Sequence, residues 1–417
     1  MTNALASRMA RAAVPLAEAL AALPLARYEI VLRAETEAAL PPFPGAMLRG
    51  AFGYALKRAV CAMPHGDCGK CMLAARCVYP HTFETRWAQP STQADAPHPF
   101  VLQSPVFPRG QRDRETERGK DRETERLSDP DSALRTPHSA LAGQHHLPVG
   151  GELTFGFTLM GRAIESLPYF VYAWHELAQR GLTERRHRFT LAAVNAIAPD
   201  ATSQPLYQSA TQQLAANEQR TYTLNDYVTA RVSRGMRDEG GGMRDEDEST
   251  QGTVGERNVA PSSLIPHPLS LRLRFLTPTR IKVNGQLQWR TDFPLLARNL
   301  LRRVTLAARA HGATNDVRLE TDELWARAAT ITNCDEYLRW WDYGRYSTRQ
   351  QTALKLGGFV GNVGFRGAAL PDFLPLLAAG EMLGVGNATA FGLGQYRVKA
   401  IGQTGASDNS PDFRALA

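Results

Sequence analysis

Four cysteines lie close together early in the chain, in the order Cys61-x6-Cys68-x2-Cys71-x5-Cys77. Four thiolates on one short loop can surround a tetrahedral ion, and zinc is the metal that this donor set suits. The alternatives are an iron–sulfur cluster, reduced structural thiols without metal, and a disulfide pair. We predict a zinc site with no open position, so that its role would be structural or RNA-contacting. Cys334 is distant in sequence and is predicted to be a lone core thiol.

A second chemical signal is the concentration of glycine towards the C-terminus. Residues 357–394 contain ten glycines, most of them in the clusters GGFVGNVGFRG at 357–367 and GVGNATAFGLG at 384–394. Glycine lets the backbone approach a phosphate and direct its amides towards it, so Gly386, Gly392 and Gly394 are candidate phosphate contacts. Bulges and tight turns in twisted strands are the alternative. There is neither a GxGxxG after a strand nor a Walker lysine, so no nucleotide cofactor is predicted.

Basic and aromatic residues alternate just before the glycines. The two types are interleaved at Arg339, Trp340, Trp341, Tyr343, Arg345, Tyr346 and Arg349. Aromatic faces that stack on bases, beside guanidinium groups that pair with phosphates, suit single-stranded RNA. A half-buried strand would show the same alternation.

A further basic set belongs to one predicted helix and the segment before it. Arg298, Arg302 and Arg309 share one polar face of helix 293–310. Four more cations precede the helix, namely Arg272, Arg274, Arg280 and Lys282. Together they could line a groove that follows a nucleic-acid backbone; a merely solvated helix face is the alternative.

Two series of elements in the same order would hold these residues. The first series has strands at 28–34, 100–102, 152–159 and 188–194, with helices at 45–60 and 163–179. The second has a strand at 269–275 with a hairpin arm at 281–289, helix 293–310, extended segments within 337–366, helix 371–383 and a last strand at 390–399. Two βαββαβ units predict an α+β protein with two tandem ferredoxin-like domains of the RRM type.

Charge is unevenly distributed over the 417 residues, whose net charge is +7. The repetitive segment 109–126 carries a net charge of +1 and the segment 234–257 one of −3, so removing both leaves +9 on the remainder. Such short charged repeats cannot bury apolar surface and are predicted to be solvated insertions. A positive folded part favours an anionic partner. A hydrophobic fraction of 43% excludes a wholly disordered or fibrous chain.

These patterns predict a domain plan. It comprises a helical or disordered lead-in at 1–26, an N-terminal domain at 27–200 with a cysteine loop at 61–77 and a charged insertion at 109–147, a linker at 201–262, a C-terminal domain at 263–402 and a disordered tail at 403–417. No apolar run is long enough to span a membrane, and the expected location is the cytoplasm.

Several segments resemble one family. PGAMLRGAFGYAL at 44–56, followed by the cysteines and by CVYP at 77–80, is similar to the N-terminal part of the CRISPR-associated pre-crRNA-processing endoribonucleases of the RAMP superfamily. The runs LRLRFLTPTRIK at 271–282, GGFVGNVGF at 357–365 and ATAFGLGQYRV at 388–398 resemble its C-terminal domain. The resemblance covers nearly all of 27–400 apart from the insertions.

The resemblance implies two RAMP domains that grip a CRISPR repeat RNA and cut it without metal, by attack of a 2′-hydroxyl on the adjacent phosphate. This chemistry needs a general base, normally histidine, and a lysine or arginine for the phosphorane charge. Helix 45–60 contains no histidine. We predict His81 as the base with Tyr79 and Lys57 as its partners; His65 is the other candidate.

Other residues could replace a histidine base. Arg49, which is also a predicted RNA contact, and Tyr54 lie on helix 45–60 and could act instead. The RNA-contact set is completed by Arg272, Arg274, Arg280, Lys282, Arg298, Arg302, Arg345, Gly386, Gly392 and Gly394.

These observations lead to three hypotheses about function. The first is an endoribonuclease that matures CRISPR transcripts, with repeat RNA or crRNA and other CRISPR effector subunits as partners and no membrane. The second is a non-catalytic RNA-binding RAMP subunit of a CRISPR effector complex. The third is a zinc-stabilised protein without an RNA role.

Overall fold

The computed structural model describes residues 16–63, 67–85, 96–107, 145–183, 185–215, 220–235, 270–312, 321–342, 344–347 and 352–400. His65, the charged insertion up to residue 144, almost all of the second charged repeat and the tail at 403–417 lie outside these ranges. Of 344–347 and 352–355 the backbone alone is described, so the side chain of Arg345 is not part of the account. Within the described ranges, no helix combines the length and the apolar character needed to cross a bilayer.

The N-terminal half contains eight strands and five helices among the described residues. They are α1 (Leu16–Ala21), β1 (Pro24–Ala34), β2 (Ala38–Leu40), α2 (Gly45–Val60), α3 (Val78–Phe83), β3 (Phe100–Gln103), β4 (His145–Leu147), β5 (Glu152–Met160), α4 (Leu167–Arg180), β6 (Phe189–Ile197), β7 (Ser203–Gln208), β8 (Tyr222–Thr223) and α5 (Leu224–Ser233). The main sheet is antiparallel in the order β3-β5-β1-β6-β7, and β8 also pairs with β1. Its first four strands have the arrangement of a ferredoxin-like βαββαβ unit.

The C-terminal half repeats this arrangement. Its elements are β9 (Ser270–Thr279), β10 (Lys282–Val283), β11 (Gln286–Leu287), α6 (Phe293–His311), α7 (Asp322–Ala328), β12 (Thr332–Trp341), β13 (Gly344–Ser347), β14 (Thr352–Lys355), β15 (Gly358–Arg366), α8 (Leu370–Leu383) and β16 (Tyr396–Ala400). The antiparallel order β12-β15-β9-β16 again places the first and third strands of the unit in the centre. The prediction of two tandem ferredoxin-like domains is confirmed.

Apolar residues at helical spacing attach the helices to one face of each sheet. On α2, Leu48, Phe52 and Leu56 are fully buried, and the Phe52 ring stacks on Trp174 of α4 with 4.6 Å between centroids. On α6, the predicted stripe from Phe293 to Ala307 is buried against β9, β15 and α8. Each helix therefore has one fixed face, which determines the directions of its polar residues.

Two segments outside the predicted domain cores also pack into the C-terminal core. Leu20 of the predicted lead-in, and Leu224 and Tyr227 of the predicted linker 201–262, are buried in one cluster with α6 and α8. Helix α5 begins with a capping box, because Thr223 and Asp226 exchange hydrogen bonds with each other's backbone amides. The segment predicted as a linker thus supplies a capped helix to the core, and β7 to the edge of the N-terminal sheet.

Two boundaries differ from the sequence prediction. Residues 281–289 were expected to pair with the first strand of their domain, but β10 pairs with β11 instead. Asn284 and Gly285 both have positive φ, which closes a tight two-residue hairpin and leaves no arm for β9. The last strand was expected to begin at residue 390, but it begins at Tyr396, because Gly392 and Gly394 adopt left-handed backbone conformations before it.

Candidate functional site

The two domains meet where the start of α2 touches the glycine-rich segment 384–394. Phe43, Trp341 and Leu393 are buried together in a small apolar cluster at this junction. A side chain on Gly45 would come within 2.2 Å of the Phe391 carbonyl oxygen, so only glycine allows this approach. Helix α2 therefore begins directly against the glycine-rich segment.

Hydrogen bonds from both domains fix the glycine-rich segment in place. The Gln395 side chain donates to the carbonyl oxygens of Leu102 (3.3 Å) and Gly392 (2.8 Å), and so joins β3 to the loop. The Gly394 amide donates to the Pro278 carbonyl at 3.1 Å. The glycine-rich segment therefore forms one side of the junction.

Arg49 of α2 lies against the glycine-rich segment. Its guanidinium carbon is 4.2 Å from the centroid of the Phe391 ring and 5.2 Å from that of the Phe83 ring. Its Nη2 donates to Nε2 of His98 at 3.4 Å. Cation–π contacts on two sides hold the guanidinium in one place, so the structure positions Arg49 at the junction, where a phosphate contact was predicted.

His98 adds a titratable group that the sequence prediction missed. Burial, together with the neighbouring cations Arg49 and Arg303, lowers the pKa of His98 to about 4. The ring is therefore neutral at pH 7, with Nε2 accepting the bond from Arg49 and the proton on Nδ1. His98 lies in the Pro97–Pro99 segment that leads into β3, next to α2, and a prediction centred on helix 45–60 had no reason to include it.

The C-terminal helix α6 supplies two more basic groups to this junction. Burial lowers the pKa of His311 to about 4, and its Nε2 donates to the Pro97 carbonyl at 2.7 Å. Burial also lowers the pKa of Arg303 to about 10, and its buried Nε has no hydrogen-bond partner. Arg49 and Arg303 both lower the pKa of His98, and Arg303 also lowers that of His311. The junction therefore concentrates positive charge and suits an anion.

A second basic surface covers the C-terminal sheet on the face opposite its helices. Arg274 lies across from Arg397 on β16 and from Asn362 on β15. Tyr337 of β12 lies across from Asn362 and is 76% exposed. Arg272 is on the same face, in an ion pair with Asp335 at 2.7 Å. Cations around an exposed ring are suited to single-stranded nucleic acid.

Comparison with known proteins gives a family match for each of the two domains. Residues 273–396 match the family model of the CRISPR-associated endoribonuclease Cas6. This match lies within the C-terminal domain. Residues 23–219 match a family model described as an N-terminal domain.

Similar proteins cover nearly the whole chain. A protein of Archaeoglobus fulgidus (strain ATCC 49558), named only "uncharacterized protein", is 22% identical over 87% of this chain and 93% of its own length. The structure of Thermus thermophilus Cas6 is similar over 91% of this chain and 99% of that one, at 14% identity and a TM-score of 0.44. A partial Cas6-RT-Cas1–Cas2 complex is similar over 91% of this chain and 47% of that one, at 15% identity and a TM-score of 0.47.

Arg280 and Gly386 have structural roles within the C-terminal domain. The Asn387 amide donates to the Arg280 carbonyl at 2.9 Å, and Arg280 and Gly386 form an isolated parallel bridge. The Arg280 guanidinium donates to the Gly357 carbonyl, which connects the two glycine clusters. Lys282 is exposed on the small β10–β11 hairpin. Gly386, like Gly392 and Gly394, has a positive φ.

The cations of α6 do not share a groove with those of β9. Arg298 and Arg302 are exposed on the helix, and the Arg298 guanidinium lies over the Trp325 ring at 5.4 Å. Arg272 and Arg274 are on the other face of the sheet that α6 covers. The predicted common groove is therefore two separate surfaces, because a helix packed on one sheet face directs its polar side away from the other face.

Of the three predicted catalytic residues, the structure brings only Lys57 and Tyr79 together. Lys57 Nζ lies 5.5 Å from the centroid of the Tyr79 ring, and Tyr79 stacks on Phe83. His81 is exposed, and its Nε2 donates to the Ala75 carbonyl at 3.0 Å. Residues two apart on a helix do not face each other, so His81 is directed away from the Lys57–Tyr79 pair.

The four cysteines lie on the loop between α2 and α3 as reduced, partly exposed thiols. The prediction of a core thiol at Cys334 is wrong, because Cys334 is exposed at a bulge of β12. Burial raises the pKa of Cys68, and Glu84, Cys61 and Cys77 raise it further, so three of the thiols are close enough to interact. Their chemistry suits zinc. However, no three Cys, His, Asp or Glu side chains among the described residues are grouped tightly enough to hold a metal ion. The zinc site stays a prediction, and no chemical step below uses it.

Proposed function

We propose that this protein is an endoribonuclease that binds CRISPR repeat RNA and cuts precursor crRNA. In the proposed reaction, a 2′-hydroxyl gives up its proton and attacks the adjacent phosphorus, and the 5′-oxygen of the next nucleotide leaves with a proton. The products are a 2′,3′-cyclic phosphate and a free 5′-hydroxyl. No metal takes part, and the location proposed with this function is the cytoplasm.

The observation that carries the proposal is the Arg49–His98 pair, held at 3.4 Å beside the glycine-rich segment of the C-terminal domain. A neutral imidazole can accept the proton of the 2′-hydroxyl, and a guanidinium can stabilise the charge that develops on the phosphorane. Arg49 occupies Nε2 of His98 in the free protein. A phosphate that draws Arg49 away would leave this nitrogen free to act as the base.

The electrostatics of the junction would favour this exchange. Without RNA, burial and two cations keep the pKa of His98 near 4. An RNA phosphate beside Arg49 and Arg303 would offset their effect on the imidazole and raise its pKa towards the neutral range, where a general base is most effective. Lys57, Tyr79 and His81 form the second candidate set of catalytic residues.

Cleavage of the repeat RNA from the host's own CRISPR array in the presence of EDTA tests the proposal. We expect products that end in a cyclic phosphate. Under single-turnover conditions, His98→Gln and Arg49→Met should each cleave about 100-fold more slowly or worse. RNA affinity should be kept in His98→Gln and lowered in Arg49→Met, which loses a predicted RNA contact. His175→Gln, on a partly exposed residue of α4, is the matched control.

Three outcomes would contradict the mechanism. Cleavage that EDTA abolishes would argue for a catalytic metal. Full activity of His98→Gln together with loss of activity in His81→Ala would transfer the role of the base to His81. Cleavage of an RNA that carries a 2′-deoxy nucleotide at the mapped cut position would exclude attack by the 2′-hydroxyl.

The absence of histidine from α2 favours a second candidate, a non-catalytic RNA-binding subunit of a CRISPR effector complex. The basic face with Arg274, Arg397 and Tyr337 could bind RNA without any chemistry. Tight binding of the repeat RNA with no cleavage by the wild-type protein, together with co-purification of other effector subunits, would support this candidate over the endonuclease.

A further inference from the structure

A separate cavity lies between the N-terminal sheet and Tyr227 of α5. It has a volume of about 110 Å³ and is bounded by β1, the β6–β7 turn and the segment that leads into β8. About 10–15 Å³ suffices for a single water, so there is space for a small polyatomic ion. The polar residues of its lining are Arg27, Tyr28, Asp200, Thr202, Gln204, Arg220, Tyr222 and Tyr227. None of them belongs to the Arg49–His98 junction.

Arg27 is the unusual group in this cavity. Its guanidinium carbon lies 5.8 Å from the centroid of the Tyr227 ring. Its Nε is out of contact with solvent and has no hydrogen-bond partner. A buried guanidinium ordinarily has an acceptor, because an unpaired cation away from water costs several kcal/mol. Among the described residues, the Arg27 Nε–H therefore lacks the acceptor that its position calls for.

The neighbouring charges do not supply that partner. Burial lowers the pKa of Arg27, and Arg397 and Arg234 lower it further, whereas Glu381 acts in the opposite direction. The Glu381 carboxylate already accepts from Arg231 at 2.7 Å and from the Val398 amide at 2.7 Å. The Glu381 carboxylate is therefore engaged by other donors.

One carboxylate does border the cavity. Asp200 accepts from the Thr202 hydroxyl at 2.6 Å and from the Thr202 amide at 2.9 Å, and these bonds lower its pKa. It is engaged within its own turn at the rim, where Arg220 also lies. Arg27 and Arg220 together outweigh this single negative charge.

We propose that this cavity binds one phosphate group, as free phosphate or as a phosphomonoester. Arg27 would contact it from the floor and Arg220 from the rim, and the hydroxyl of Tyr222 would be available as a donor. Guanidinium groups that converge on a phosphate form charge-assisted, bidentate hydrogen bonds. The site would exist whether or not the protein cuts RNA.

Calorimetric titration of the full chain with inorganic phosphate, at ionic strength matched with chloride, tests the proposal. We expect saturable binding with a Kd on the order of 1 mM or tighter. Arg27→Met should weaken it at least about tenfold, and should still fold because it removes an unpaired buried charge. Arg220→Met should weaken it less.

Arg33→Met is the matched control. Arg33 lies on the same strand but is exposed and paired with Glu152 at 2.9 Å, so phosphate binding should not change. Absence of saturable phosphate binding, or unchanged binding by Arg27→Met, would overturn the proposal. Titration with 5′-AMP, and with adenosine as the form without phosphate, distinguishes free phosphate from a phosphomonoester as the ligand. AMP that binds more tightly than phosphate would indicate a nucleotide phosphate, and equal binding would indicate free phosphate.

Discussion

Arg27, Arg49 and Arg303 are cations that the fold keeps largely away from water. Arg49 is held between two aromatic rings, and Arg303 and Arg27 each have a buried Nε without a partner. Such groups are costly in a protein that has no anion to bind. Their positions, at the junction and in the N-terminal cavity, are the two places where we expect RNA or phosphate.

The two histidines of the junction give a pH dependence of stability. The pKa values of His98 and His311 are about 4 in the folded protein, against about 6.5 for an exposed histidine. Between these values the unfolded chain binds more protons, so stability falls as the pH drops from about 6.5 to about 4. We expect a loss of about 3 kcal/mol per histidine over this range, measured by urea unfolding.

Substitution of both histidines tests this prediction. The double variant His98→Gln with His311→Gln should show a much shallower loss of stability between pH 6.5 and pH 4. His81→Gln, at an exposed histidine, is the control and should keep the wild-type slope. An equally steep loss in the double variant would mean that other groups cause the acid sensitivity.

Among the elements, helix α2 offers a paired test of the contact with the glycine-rich segment. A methyl group at Gly45 would meet the Phe391 carbonyl at 2.2 Å, whereas nothing lies within 4 Å of one at Gly50. Gly45→Ala should therefore destabilise the protein by about 1–3 kcal/mol. Gly50→Ala should stabilise it by about 0.5–1 kcal/mol, because alanine favours the helix. Equal effects of the two variants in urea unfolding would contradict the close approach.

The cysteine loop between α2 and α3 gives a second test at this scale. If the predicted zinc site forms, the purified protein should contain about one zinc per chain by metal analysis. Cys68→Ser should lower the zinc content and the thermal stability, and Cys334→Ser, at an exposed cysteine outside the loop, should change neither. A wild-type protein without zinc or iron would instead indicate reduced structural thiols.

Across the whole molecule, the basic residues lie on two surfaces, and RNA binding should distinguish them. Arg274→Gln and Arg397→Gln, on the open sheet face, should each weaken binding of repeat RNA and lower the slope of log affinity against log salt by about 1. Arg298→Gln and Arg302→Gln, on α6, should leave both quantities close to wild type. Filter binding over a salt series makes the comparison, and the reverse pattern would place the RNA on the helical side.

The order of the elements was predictable from the sequence. Apolar residues at helical spacing predicted helices at 45–60 and 293–310. The structure has α2 at Gly45–Val60 and α6 at Phe293–His311, so the predicted bounds agree to within one residue. The alternation of β9 also indicated which of its residues are buried. These are local signals, because each depends on the period of one element.

The assignments that depend on position in space were less predictable. The same alternation in β9 did not reveal that Arg272 and Arg274 face away from α6, since this requires knowing which sheet face the helix covers. The pairing of β10 with β11 was decided by two residues with positive φ. Helix α5 has a weak apolar pattern, and its burial became apparent only through its packing on α8.

The sequence by itself determined the two βαββαβ units, the positive charge of the folded part and the glycine-rich segment that resembles the RAMP endoribonucleases. Only the tertiary structure decided that His98, His311 and Arg303 meet Arg49, and that the Arg27 Nε is buried without a partner among the described residues. The reason is physical: periodicity and composition record what each segment buries, whereas a site is made by segments distant in sequence. Residues 49, 98 and 303 come together because two domains pack against each other, and no local pattern encodes that contact.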